Sequence, residues 1–405
     1  MLDLDQLLRH AVEQRASDVH LKAGSRPYLR VDGRLQESPF EVIEPMDTER
    51  VALAVMPPSR AEELRNQHES DFVYGVPGLG RFRVSAFRQR GFVGLVLRRV
   101  VPGTPGFDAL GLPVGVSRLA DVQSGLVLVT GLAGSGRTST IAAVVDHVNQ
   151  ARACHIVTIE NPIEVLHPDK QSIVTQREVG TDTVSYESAL RHALRQDPDV
   201  VMVGKLPDAD TARAALEAAD VGKLVISTMP TVGAVDTVVR LVEMFPPHLR
   251  AQTRSTLART LRGIVSMRLL PRAGGRGRVP AVEVLVVNGL VAEALADSDG
   301  ASRLERLMSD GDYYGMQTFD QSLLMLYQRG LVDRATVLAH ATYAPAIQVE
   351  IERLERTRAA GDGYVPVPPS TPAPASIGLA AGPVAAGLPG AGRQFPPPPP
   401  LTPRG

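Results

Sequence analysis

Apolar positions first recur at helical spacing. In LDQLLRHAVEQRA (4–16), Leu4, Leu7, Leu8 and Val12 fall on one face and predict an amphipathic helix. Shorter pieces then alternate apolar and polar residues: SDVHLK (17–22), PYLRVDG (27–33) and RFRVSAF (81–87) read as strands between Gly and Pro turns. Together they predict a small α/β domain over residues 1–100. The stretch VVPGTPGFDALGLP is rich in Pro and Gly and predicts a linker over 101–113. From 114 to about 355 the pattern changes. Near-continuous apolar runs, LVLVT (126–130), HIVTI (155–159), VVMVG (200–204), LVIST (224–228) and VEVLVV (282–287), alternate with helical segments. Such runs favour a largely parallel sheet covered by helices on both faces. Over 362–405 the chain collapses into Pro, Gly, Ala and Ser, ending in FPPPPPLTPRG. That composition predicts a disordered tail of polyproline character. There is no internal repeat.

A length of 405 residues allows two or three domains with a sizeable core. The net charge of −1 argues against nucleic acid or a membrane surface as the main partner. Cys154 is the single cysteine, which excludes an internal disulfide and a Cys₄ zinc site. No apolar run approaches the ~20 residues of a membrane span, and no signal peptide opens the chain. The expectation is a soluble cytoplasmic protein that reaches a membrane only through a partner.

Candidate chemistry begins at LVLVTGLAGSGRTST (126–140). It fits the phosphate-loop pattern G-x-x-x-x-G-K-[ST] except at Arg137, where the lysine belongs. An apolar strand runs into a glycine turn and then a helix, the context in which backbone N–H groups and a helix N-terminus converge on an anion. Gly131, Gly134, Ser135, Gly136, Arg137, Thr138 and Ser139 are the candidate nucleotide-binding residues, and Thr138 is the candidate Mg²⁺ ligand. A plain Gly-rich turn is the alternative. A dinucleotide fingerprint fits less well, since the glycines fall as G-x-x-G-x-G.

Three further segments bear on the same site. TIENPIE (158–164) places Glu160 and Glu164 where a strand ends, and a carboxylate there can orient or deprotonate an attacking water. A solvated loop with ordinary acids is the alternative. VVMVGK ends in Lys205, where an NTPase usually sets an acid for Mg²⁺ or its water; an ammonium reverses the electrostatic sense of that position. LVISTMPT (224–231) ends in Met229-Pro230-Thr231, and Pro230 offers neither side-chain donor nor acceptor to a nucleotide. If the strand ends open on one crevice, Lys205 is expected to pair with Glu160 or Glu164, with Arg137 reaching in from the loop; a Lys205 that swings into solvent and pairs with nothing is the alternative.

Taken in order, these residues resemble the type IV pilus retraction motors, the PilT/PilU-type members of the secretion ATPase superfamily. ASDVHLKAGSRPYLRVDGRL, GRFRVSAFRQR, TIENPIE and VTQREVGTDTVSYESALRHALRQDPDVVMVG carry the resemblance, which spans residues 1 to about 355. GRVPAVEVLVV and GMQTFDQSLLMLY are closer to the PilU-type branch, and LVAEAL (290–295) departs from the corresponding PilT-type helix. The resemblance implies an N-terminal PAS-like α/β domain, then a RecA-like P-loop NTPase domain over 114–355. It implies a hexameric ring, either a homo-hexamer or a mixed ring with an intact retraction ATPase. It also implies ATP and Mg²⁺ as cofactors and docking on the inner-membrane pilus platform protein from the cytoplasmic side. Glu164 falls on the family's catalytic glutamate, with Glu160 beside it in the acidic box, and Arg81 and Arg83 fall on the first-domain arginines. The single cysteine sets the chain apart from the ring ATPases with a tetra-cysteine zinc module.

Four positions depart from the family pattern. Arg137 replaces the phosphate-loop lysine, Lys205 the metal-site glutamate, Pro230 the His-box histidine and Asn161 an aspartate. Arginine's planar fork does not simply replace a compact ammonium curled inside the loop. Two functions follow as expectations: a ring subunit that binds nucleotide with impaired hydrolysis, or an active motor that tolerates these changes.

Overall fold

The computed structural model describes residues 2–359 except 32–33, 101–102 and 275–276; the tail expected over 362–405 lies outside them. The N-terminal part builds one antiparallel sheet from β1 (Asp18–Leu21), β2 (Tyr28–Val31), β3 (Arg34–Glu37), β4 (Glu69–Val76), β5 (Gly80–Gln89) and β6 (Phe92–Val100). Its order is β3-β2-β1-β6-β5-β4. The helix Leu4–Glu13 starts where Asp3 accepts a hydrogen bond from the Gln6 N–H, and it buries Leu4, Leu7, Leu8 and Ala11, with Val12 only half-buried. These side chains join Leu21, Phe82, Leu95 and Leu97 in one core. Strand β5 alternates strictly: Phe82, Val84 and Ala86 are buried, while Arg81 and Arg83 stand on the other face.

The second sheet contains β7 (Gly125–Thr130), β8 (His155–Glu160), β9 (Ile173–Glu178), β10 (Val200–Val203), β11 (Leu224–Met229), β12 (Leu261–Pro271) and β13 (Arg278–Val286), in the order β13-β12-β7-β11-β10-β8-β9. All neighbours are parallel except β12 and β13. Leu126, Leu128, Val157 and Ile159 face one core, and Val127, Val129 and Ile156 face another on the opposite side. Burial on both faces is why these strands read as unbroken apolar runs. Parallel pairing also brings the C-terminal ends of β7, β8, β10 and β11 to one edge, where such a sheet places its ligands.

Two strands of this sheet do not read as unbroken apolar runs. β9 is an edge strand, IVTQRE, with one fully buried residue, so polar side chains are tolerated along it. β12 carries Arg262 and Arg268 within LRGIVSMRLLP; the first bonds the Ser124 carbonyl and the second stacks 3.9 Å from the Phe319 ring centroid. Within the stretch 101–113 the chain forms a helical turn, Phe107–Leu110, whose Phe107 ring lies 5.1 Å from that of His147. The helices Phe319–Gln328, Arg334–His340 and Ala344–Ala359 close a further cluster around Phe319, Leu323 and Ile351.

Candidate functional site

β7 runs into residues 131–136, and the helix Arg137–Ala151 begins directly after them. Gly131, Gly134 and Gly136 have φ of +144°, +78° and +100°, conformations that side chains rarely adopt. A Cβ on Gly131 would lie 2.3 Å from Ser135 Oγ and 2.6 Å from the Met267 carbonyl oxygen. Strand β12 braces the loop from behind: Thr130 Oγ1 donates to Ser266 Oγ at 2.9 Å, and Thr140 Oγ1 lies 2.9 Å from Met267 Sδ. No side chain caps the helix at Gly136, so its first N–H groups stay open. Ser135 Oγ is buried and has no hydrogen-bond partner among the described residues. A glycine cradle, an uncapped helix and an orphaned hydroxyl together fit a bound phosphate chain.

The loop opens on a cavity of about 350 Å³ lined by Arg137, Thr138, Glu160, Glu164, Lys205 and Pro230, among others. With Asn161, also in the lining, seven of the positions singled out from the sequence therefore converge. Ser139 is exposed on the first turn of the helix and does not line the cavity. Arg81 is half-buried on β5, outside the cavity lining and without an ion pair or side-chain hydrogen bond among the described residues. Arg83, its neighbour on the same face, places Nη1 3.7 Å from Glu164 Oε1.

The two glutamates differ in character. Glu160 is 8 % exposed, and its Oε1 accepts hydrogen bonds from Thr158 Oγ1 at 2.7 Å and Gln176 Nε2 at 3.1 Å. Burial pushes its carboxyl above the ordinary range despite these bonds. Glu164 is half-exposed and faces Arg83. The loop between them is held by β9. Gln176 also donates to the Val165 carbonyl at 2.9 Å and accepts from the His167 N–H at 2.9 Å, while Glu178 accepts from the Ile163 N–H at 3.1 Å. Neither residue stood out from the sequence alone; their only signal there is that VTQREVG lies within the segment resembling the retraction motors.

Arg137 takes its expected position and Lys205 does not. Lys205 pairs with neither Glu160 nor Glu164: it makes no ion pair among the described residues, is exposed, and its Nζ lies 5.8 Å from the Tyr186 ring centroid. A long, strongly hydrated lysine gains more from water and an aromatic face than from entering a crevice whose carboxylates are already engaged. Tyr186, also missed, is 7 % exposed; burial, with Glu160 and Glu164 nearby, pushes its phenol up to about 12, so it stays neutral. Arg137 does reach the crevice, half-buried and without an ion pair. Burial lowers its guanidinium from the usual arginine range, and the charge of Glu164 works in the opposite direction.

A divalent metal does not fit this donor set. Glu160 Oε1 accepts two hydrogen bonds, Glu164 faces a guanidinium, and Arg137 and Lys205 line the same space. Among the described residues no group of three or more His, Cys, Asp or Glu is placed to hold a metal ion. No helix of the described residues is long and apolar enough to cross a membrane.

A model of the family described as Type II/IV secretion system protein matches residues 1–309. The chain belongs to this family. Its homologues there include the type IV pilus retraction ATPase PilT of Pseudomonas aeruginosa, 38 % identical over 82 % of this chain and 96 % of that protein. The type IV pilus ATPase PilU of the same organism is 36 % identical over 87 % of this chain and 92 % of its own length. Among solved structures, that of the pilus retraction motor PilT with bound ADP superposes with a TM-score of 0.80 at 40 % identity, covering 86 % of this chain and 100 % of that one. The fold is thus that of this motor family, an N-terminal α/β domain followed by a RecA-like ATPase domain.

Proposed function

We propose that this family member is a ring subunit of a type IV pilus retraction machine that binds ATP or ADP but hydrolyses ATP slowly or not at all. The backbone of residues 131–139 and the Thr138 hydroxyl would hold the phosphates, and the nucleotide would supply the phosphoanhydride. The observation carrying the reading is that Arg137 and Lys205 both line the cavity, Lys205 at the strand end where the family pattern sets an acid. Removing one preorganised charge from a transition-state site costs ~10²–10³ in rate, and here several groups are changed. Its partners in this reading are copies of itself or an intact retraction ATPase in a hexamer, and the inner-membrane platform protein, reached from the cytoplasm.

A second reading, an active motor of the PilT/PilU type, is favoured by one observation: Glu164, the Arg83 contact and an open Thr138 all remain in place. Turnover of the purified full chain with ATP and Mg²⁺ separates the two. The proposal expects less than ~0.1 s⁻¹, a typical ~10 s⁻¹ reduced by ~10²–10³. Turnover at ~1 s⁻¹ or faster supports the active motor instead.

A further inference from the structure

Arg137 and Lys205 enter one cavity from different elements, the first residue of a helix and the segment just past β10. Neither is neutralised by an ion pair among the described residues. The two carboxylates that could draw in a metal are otherwise engaged, Glu160 by Thr158 and Gln176, Glu164 by Arg83. Thr138 is exposed beside them, so one hydroxyl and the ligand's own phosphates would have to hold a divalent cation against two positive side chains. We infer that this site takes the nucleoside polyphosphate as the metal-free anion, with Arg137 on the phosphate loop and the Lys205 ammonium standing where the metal would otherwise be held. The inference rests on the proposed nucleotide binding and deepens it: the ligand class is free ATP or ADP rather than its magnesium complex.

The charge change supports this. Arg137 keeps the charge of the phosphate-loop lysine, while an ammonium at Lys205 in place of a carboxylate shifts that strand end by two positive charges, the same as a bound Mg²⁺. Lys205 is long and exposed, so it can swing from the Tyr186 face to a phosphate without repacking the core. Magnesium in solution would then compete for the ligand rather than help it bind.

Calorimetric titration of the full chain with ATP, once in excess EDTA and once in excess Mg²⁺, tests this, with ADP as a second probe. The affinity in EDTA is expected to equal or exceed that in Mg²⁺. Lys205→Glu is expected to lose at least tenfold in EDTA and to regain it with Mg²⁺. Lys205→Met should lose affinity in EDTA with no regain; both variants change an exposed side chain, and their melting temperatures serve as the folding control. Wild-type binding that tightens tenfold or more with Mg²⁺ overturns the inference and leaves nucleotide binding standing. Absence of binding in both buffers overturns the inference together with the nucleotide reading beneath it.

Discussion

Arg83 of the N-terminal sheet lies 3.7 Å from Glu164, the acid that closes the loop after β8 in the second sheet. The contact joins the two sheets at the cavity, yet its side chains are 40 % and 43 % exposed. Exposed pairs contribute little to stability, roughly 0–1 kcal/mol. A double-mutant cycle with Arg83→Ala and Glu164→Ala, read by chemical denaturation, should therefore give a coupling below ~1 kcal/mol. A larger coupling would make the pair a structural clamp rather than a feature of the site.

Arg137→Lys alone should leave hydrolysis at the wild-type level. Recovery should need Lys205→Glu as well, because both residues line one phosphate cavity and act as a unit. Turnover of the double variant is expected to exceed wild type by ~10²-fold or more, the weight of a preorganised charge. Full recovery in either single variant would show that the two positions are independent.

Glu160 should leave a signature in the pH dependence of stability. Its folded-state pKa is raised above the ordinary 4.5, so the native state holds the proton more tightly than the unfolded chain. Its favourable contribution is complete below pH 4.5 and is lost as pH rises through the folded pKa. Glu160→Gln keeps an acceptor for Thr158 and Gln176 but does not titrate. Its stability relative to wild type should rise as the pH climbs from 4 to 8; a difference that is flat with pH would show that Glu160 is not biased toward the proton.

Gln176→Ala removes the side chain that binds Glu160, the Val165 carbonyl and the His167 N–H together. Leaving such groups unsatisfied costs roughly 1–3 kcal/mol. Denaturant midpoints should show that loss, and amide exchange should quicken over residues 161–167 in particular. Exchange that quickens evenly across the sheet would place the effect elsewhere.

Gly131→Ala should be among the most damaging single changes at the loop. Its φ of +144° is strained for alanine, and the new methyl would press on Ser135 Oγ and the Met267 carbonyl. A loss of roughly 1–3 kcal/mol is expected from the backbone alone, seen as a lower melting temperature with or without nucleotide. Gly134→Ala, with nothing within 4 Å of its Cβ, should cost less.

The strands that were legible in the sequence are those buried on both faces, since β7, β8, β10, β11 and β13 announce themselves as apolar runs. β9 and β12 were hidden, the first because an edge strand keeps Thr175, Gln176 and Arg177 along its length, the second because its arginines satisfy themselves on a carbonyl and a ring. The site divides in the same way. Local spacing revealed the phosphate loop and the two glutamates. Gln176 supports its loop from a neighbouring strand, and the Arg83–Glu164 contact joins two sheets, relations that no local pattern encodes. The misplaced expectation for Lys205 came from counting charges at a strand end without knowing that hydrogen bonds already occupied Glu160.

Lys205 and Pro230 are both exposed, and the strands leading to them are fully buried. The departures at these two positions are therefore written on the rim and not into the packing. A lysine codon becomes a glutamate codon by one base change, and nothing in the core would have to readjust to receive the acid. A change between the two charge states at that strand end therefore alters the chemistry of the site without touching the packing that folds the subunit.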